Sequence, residues 1–380
     1  MKKIYLDHGA TTPVLPEVFE EMKPYFLEKF GNASSLHLFG EEAKKALESS
    51  REKIAKLINA EPNEIYFTSG GTEADNTAII GAALANSKKG KHIITSPIEH
   101  SAVLESVEYL QKNGFDIDFV KVDSNGRVDV ESLKNMIKKD TILISIMWVN
   151  NETGVIQPIQ EISKIARKHN IIFHSDAVQA LGKLKLDASW VDILSASAHK
   201  FYGPKGVGFM YLKRGNKVNP TILGGGHERG MRSGTENVSG VVGMAKALEL
   251  CYRDFEGKHE IFKKWKDKMI EKLEEIGDYH INGGIVDVLP THLNVSFKGI
   301  SGETLMYSLS LNGIAISTAS ACSSHHTNKT ASHVLKAMGL DHETIIGAVR
   351  IVTGLDNTDD DIEKFLTILE SEVRRLRSLG

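Results

Sequence analysis

The chain has 380 residues, 41% of them hydrophobic and 25% charged, with a formal net charge of −3. That length is too great for one small core and points to two domains, while the near-neutral balance offers no basic field for nucleic acid or an anionic membrane. Two cysteines, Cys251 and Cys322, exclude a disulfide framework, and the longest apolar run, Ile142 to Val149, is too short to span a bilayer. The opening MKKIYLDHGATTP passes from charge into a short strand-like run without a signal-type segment, so cytoplasmic residence is the expectation.

From residue 60 to 250 the chain alternates strand-like and helix-like segments. EIYFTS (64–69) reads as a buried strand, and a Gly-Gly-Thr turn then opens a helix through EADNTAIIGAALA. KHIITSP (91–97) is followed by a predicted helix from about Ser101 to Lys112 and by FDIDFVKV (115–122). TILISIMWV (141–149) is the most apolar strand, and IQEISKIARKH after it has helical spacing. IIFHSDA (171–177), VDILSASA (191–198) and VGFMYL (207–212) complete the strands. Such alternation predicts an α/β fold, a mostly parallel sheet covered by helices on both faces. Ligands collect at the carboxyl ends of strands in sheets of this kind.

Beyond about Asp254 the texture changes. A charged helical stretch (257–277) precedes strand-like THLNVSF (291–297), helical GETLMYSLSLNG, a short strand and a C-terminal amphipathic helix. This predicts a smaller α+β domain. The expected division is a large domain over 16–255 and a small one formed by 1–15 with 256–380.

Three features fall where strands should end. Asp176 closes IIFHSD, Lys200 follows VDILSASA, and Ser69-Gly70-Gly71-Thr72 lies between a strand and a helix. Small residues at a helix start expose backbone N–H groups and the positive end of a dipole, which suits a phosphate. No Gly-Lys-Ser/Thr follows, and the dinucleotide-type glycine spacing is absent. Lys200 sits in SAHKFYGPKG, where hydroxyl, imidazole and amine gather before a Gly-Pro turn. Lysine amines form Schiff bases when burial or nearby cations lower their pKa. Pyridoxal-phosphate chemistry also needs an acid opposite the pyridine nitrogen, and Asp176 on a neighbouring strand end fits.

Longer motifs carry a resemblance. Tyr5 to Pro13 (YLDHGATTP), Thr68 to Asn76 (TSGGTEADN), Asn150 to Gly154 (NNETG), SAHKFYGPKG, Gly224 to Asn237 (GGGHERGMRSGTEN) and Ser320 to Ser324 (SACSS) occur in that order. Together they resemble the NifS/IscS-type cysteine desulfurases, on the class V branch of fold-type I pyridoxal-phosphate enzymes, from residue 5 to beyond 350. The resemblance implies that Lys200 carries the cofactor and later moves protons at the substrate α-carbon. It implies that Asp176 pairs with the pyridine nitrogen, and that Gln179 and Asn151 lie near the ring oxygen. His100 would stack on the ring and serve in acid–base steps. Gly71, Thr72, Ser197 and His199 would hold the phosphate. Thr235 would reach the cofactor phosphate of a partner subunit, so a homodimer is implied. Arg350, with Asn151 nearby, would take the substrate carboxylate through its bidentate fork. Cys322 would attack the sulfur of bound L-cysteine, leaving a persulfide on the enzyme and alanine as product. A sulfur-acceptor protein would follow, for iron–sulfur cluster or other thio-cofactor assembly.

The pattern departs from the family in places. Ala319 replaces a glycine before Ser-Ala-Cys, and His325 to Thr330 replace the usual Leu-Glu-Pro run, which bears on the acceptor. Ile351 to Leu355 replace the usual residues after Arg350, which bears on the substrate-carboxylate pocket. Gly9 and Ala198 differ mildly, with little consequence expected. Cys322 with His325 and His326 offers three metal ligands where structural zinc wants four, so no metal is expected. Cys251, on an amphipathic helical pattern, is expected to be structural. Two alternatives stand beside the desulfurase reading: a selenocysteine lyase or related lyase, and a non-catalytic scaffold of the same fold in a sulfur-transfer complex.

Overall fold

The computed structural model describes residues 2–318 and 331–379. Cys322, His325, His326 and Ala319 therefore lie outside the described residues.

Strand β1 (Ile4–Tyr5) precedes seven strands of one sheet: β2 (Ile65–Thr68), β3 (His92–Thr95), β4 (Asp116–Phe119), β5 (Thr141–Ser145), β6 (Ile172–Asp176), β7 (Ile193–Ser197) and β8 (Gly208–Leu212). Their order is β2-β8-β7-β6-β5-β3-β4. All neighbours are parallel except β8, which runs antiparallel to both β2 and β7. Reversal at β8 leaves β2 pointing the same way as β7. Hence the ends of β2, β5, β6 and β7 all open on one edge of the sheet.

Alternation along the strands explains why both faces are covered. Leu194 of β7 belongs to the main core with Ile54, Ile162 and Leu248, from helices Leu38–Leu57, Ile159–His169 and Val238–Tyr252. Its neighbour Ile193 packs on the other face against Ala74, Ala78 and Ala82. β5 repeats the pattern: Ile144 faces the main core, and Leu143 faces Val103 and Val107 of helix Ser101–Lys112. A side-chain period of two cannot otherwise bury successive apolar residues.

The predicted run to Val149 stops pairing as a strand at Ser145, but the backbone continues extended: Ile146 N–H donates to His174 O and Trp148 N–H to Asp176 O. β6 ends at Asp176, so a regular ladder has no partner beyond it. The helix predicted after Gly70 runs over Gly71–Asn86, with a wider turn at Thr77–Gly81.

The C-terminal part has its own sheet and core. Strands β9 (Tyr279–Ile281), β10 (His292–Phe297), β12 (Ser317–Thr318) and β13 (Ala348–Val352) form a sheet in the order β12-β13-β10-β9, and β11 (Ile314–Ala315) pairs with β1. Trp265, Met269 and Leu273 of helix Phe255–Ile276 and Phe365, Leu369 and Val373 of helix Asp359–Arg377 pack against Leu293, Val295 and Val349. Ile4 and Leu6 join this second core. The last helix is well framed: Thr358 and Asp361 form a capping box, acids fill its first turn and Arg374, Arg375 and Arg377 its last, each complementing the helix dipole. Among the described residues no helix is long and apolar enough to cross a membrane.

Candidate active site

At the common edge of the sheet lies a cavity of about 240 Å³. Its lining includes Gly71, Thr72, His100, Asn151, Asp176, Gln179, Ser197, His199, Lys200 and Arg350. All the described residues singled out in the sequence are thus brought together except Thr235. Thr235 is exposed and does not line the cavity of its own chain. Gly9, Asp75, Met147, Val149 and Val178 also line it and were not singled out as site residues.

Each position follows from local structure. Lys200 closes a short helical turn, Ala198–Lys200, at the end of β7, and its amine donates to the carbonyls of Gly9 and Ala10, both at 2.8 Å. Gly9 O also accepts from Gln179 Nε2 at 2.9 Å. A position expected to matter little therefore supplies a carbonyl to the site. Gly71 begins its helix against Val178, whose Cγ2 would lie 2.8 Å from an added Cβ, so only glycine leaves this N-terminus open. Ser197 lies on the same side, its Oγ 3.6 Å from the place of a Cβ on Gly70.

Charge in the site is set by burial. Asp176 is buried; it accepts from Val178 N–H at 2.8 Å. Desolvation, reinforced by the nearby Asp75 carboxylate, holds its pKa well above the usual carboxylate range. Asp75 is likewise pushed up by burial; its Oδ1 accepts no hydrogen bond among the described residues, and His174 Nε2 lies 3.5 Å from it. Ligand atoms of Asp75, His100 and Asp176 lie within 4.8 Å of one another. His100 Nδ1 accepts from Ala102 N–H at 3.1 Å, capping helix Ser101–Lys112, so in the neutral ring the proton sits on Nε2. Burial and the charge of Lys200 draw the His199 pKa down to about 4, leaving a neutral ring bonded to Thr11 Oγ1 at 3.1 Å.

Arg350 comes from the second sheet. The Asn150–Gly154 turn joins the two sheets: Asn150 Oδ1 accepts from the N–H groups of Glu152 and Thr153, and Glu152 O accepts from Asn294 of β10. Asn294 is the register partner of Arg350 on β13. The guanidinium donates to Asn151 O at 3.0 Å and to Asp7 Oδ1 at 2.8 Å, and its buried Nε has no partner among the described residues. Ile351 and Val352, the departures from the family pattern, are buried in β13. Cys251 is buried as expected, donating to Phe201 O, with its thiol pushed up to about 12.

The residues fit pyridoxal phosphate on the chemistry of the donor set. Asp176 is a buried carboxylate whose cost of ionisation a protonated ring nitrogen would offset. A helix start kept open by glycine, with Ser197 and a neutral His199 beside it, suits the phosphate. Lys200 lines the same cavity.

Comparison with known proteins agrees. The Aminotransferase class-V family profile matches residues 4–365. Over its whole length the chain is 49% identical to "Cysteine desulfurase IscS" of Dictyoglomus turgidum, covering 96% of that protein. It is 47% identical to the protein of the same name from Methanosarcina thermophila, covering 94% of it. A solved structure titled "NIFS-LIKE PROTEIN" superposes with a TM-score of 0.93 at 41% identity, covering 98% of this chain and all of that one. Another, "SspA in complex with cysteine", has a TM-score of 0.82 at 35% identity over 92% of this chain and 98% of that one. Matched from end to end in sequence and fold, the chain belongs to the pyridoxal-phosphate-dependent class-V aminotransferase family, among its IscS and NifS-like cysteine desulfurases.

Proposed function

We propose that the chain converts L-cysteine to L-alanine and passes the sulfur to an acceptor through Cys322. The observation that carries this reading is the cavity where Lys200, Asp176 and Arg350 converge at the carboxyl ends of the sheet. Bound there, pyridoxal phosphate supplies an electron sink for bonds at the α-carbon of an amino acid.

The chain's own residues then divide the work. Asp176 holds a proton at the ring nitrogen. Gly71, Thr72, Ser197 and His199 hold the phosphate, and Gln179 and Asn151 flank the ring oxygen. Arg350, already oriented by Asp7 and Asn151 O, uses its remaining N–H capacity on the substrate carboxylate. Lys200 carries the cofactor and moves the α-proton, and His100 stacks on the ring and serves in acid–base steps, with its Nε2 proton available. Cys322 acts as a thiolate on the substrate sulfur: the C–S bond breaks, an S–S bond forms on the enzyme, and alanine leaves.

Two larger units follow the two cores, a large domain over 16–255 and a small one formed by 1–15 with 256–380. The active species is a homodimer in which Thr235 reaches the partner's cofactor phosphate. Its exposure in the single chain, outside its own cavity, supports that reading. The acceptor is a thiol protein of iron–sulfur or related cofactor assembly.

The test is alanine release from L-cysteine with a reductant present. Lys200→Ala and Cys322→Ala should each lower turnover by at least about a hundredfold. A Cys322→Ala chain that desulfurises cysteine at full rate would refute the persulfide step. Faster release from selenocysteine would favour the lyase alternative.

A further inference from the structure

Lys183 has no part in the chemistry above, yet it closes a ring of hydrogen bonds that begins and ends on Lys200. Lys200 Nζ and Gln179 Nε2 both donate to Gly9 O. On the other side of the same amide, Gln179 Oε1 accepts from Lys183 Nζ at 3.1 Å. Lys183 Nζ donates in turn to Lys200 O at 3.2 Å, and to Gln179 O at 3.3 Å. The preceding turn is fixed by Gly182, whose φ is +77° and whose Cβ, if added, would meet Phe201 Cβ at 2.8 Å.

We infer that Lys183 is a positioning residue for the cofactor site, orienting the Gln179 amide and placing a second positive charge beside the Lys200 amine. The inference rests on the reading of Lys200 and Gln179 given above. Its physical basis is donor chemistry. An ammonium can only donate, so it dictates that Oε1 faces Lys183 and leaves Nε2 for the site. The Gly9 carbonyl, which can only accept, favours the same orientation from the other side, so Lys183 reinforces it and pins the Oε1 end of the amide. Three acceptors around one amine also favour its charged form.

Electrostatics give the arrangement a pH signature. Crowding by protein and repulsion from Lys200 bring Lys183 down to about 7. The other groups that face it are the Arg350 guanidinium, a further cation, and the Cys251 thiol, which burial keeps protonated. His199 and His292 share its field and are held neutral by burial. A charged Lys183 therefore opposes a proton on the nitrogen of Lys200 below about pH 7 and relaxes above it.

The experiment compares the wild-type holoenzyme with Lys183→Met and Lys183→Gln, following the cofactor's visible band across pH and its release by dialysis. Removing the charge should raise the pH midpoint of the band by about one unit in both variants. Losing the tie should also speed cofactor release from Lys183→Met about tenfold. An unmoved midpoint in a folded variant overturns the inference, and Lys183→Gln carries the test if Lys183→Met does not fold. A wild-type chain that shows no lysine-dependent band would instead sink the reading of Lys200 itself.

Discussion

Glu99 shows how much of this site is decided by burial. Its Oε1 accepts from Ser96 Oγ at 2.6 Å and from Met147 N–H at 2.9 Å, while Oε2 has no partner among the described residues. Desolvation pushes its pKa up to about 8. In the unfolded chain the same carboxyl ionises near 4. The folded state therefore keeps a proton that the unfolded state loses, and the contribution to stability is full below about pH 4 and disappears as pH rises through 8. Replacing Glu99 by Gln should flatten that fall. Thermal unfolding at pH 5.5 and 8.5 should show a smaller loss of melting temperature for Glu99→Gln than for wild type. Parallel losses would mean that Glu99 is ionised in the fold. Asp75 and Asp176 push in the same direction, so the variant removes only part of the slope. None of these burial effects was legible in the sequence, which displays Asp176 and Lys200 as strand-end residues but not what surrounds them. Asp75 sits inside the TSGGTEADN motif, and only its burial beside Asp176 reveals that it acts on that carboxylate.

At the scale of elements, one strand holds the cavity edge together. β8 enters the sheet at Gly208, between Ala196 and Gly70: a Cβ there would meet Ala196 O at 2.3 Å and Gly70 Cα at 2.8 Å. Both obstacles are backbone and neither can rotate away. Gly208→Ala should therefore cost about 1–3 kcal/mol by overpacking, seen as a lower denaturation midpoint. It should also loosen cofactor binding, because Gly70 leads directly into the helix start at Gly71. Unchanged stability would show that β2 and β8 can part without consequence. Apolar runs made all seven strands of the large sheet readable, and the Ser101–Lys112 helix matches its expected range. The antiparallel direction of β8 was not readable, since VGFMYL has the same pattern in either sense. Long-range anchors were equally invisible. Glu228, in the glycine-rich Gly224–Asn237 segment, makes a buried ion pair with Arg51, 177 residues away, and accepts from Phe67 N–H of β2. No local pattern marks Arg51 as its partner.

Across the whole molecule, the apolar surface is unevenly spread. Residues 26–39 expose Phe26, Leu27, Phe30, Leu36, Leu38 and Phe39, with Leu27 and Leu38 each 81% exposed and Leu36 97%. Phe30 and Phe39 lie 5.7 Å apart between ring centroids, so these two rings adjoin on the surface. Beside them, Tyr25, Leu38 and Phe39 border a groove of about 780 Å³ that runs to Val242 and Ala245. Each large apolar side chain covered by a partner would contribute about 1.5–3 kcal/mol. On the homodimer reading proposed above, a second copy of the chain would cover this patch. Leu27→Asp combined with Phe30→Asp should then convert a dimer to a monomer in sedimentation experiments. Folding of the single chain should survive, because neither side chain belongs to a core. If Thr235 serves the partner's phosphate, the monomer should also release its cofactor faster, and Thr235→Ala in the intact dimer should reproduce that release without changing sedimentation. A double variant that still sediments as a dimer would place the interface elsewhere. A monomer with undiminished cofactor retention would leave each cavity complete in itself and remove Thr235 from the site.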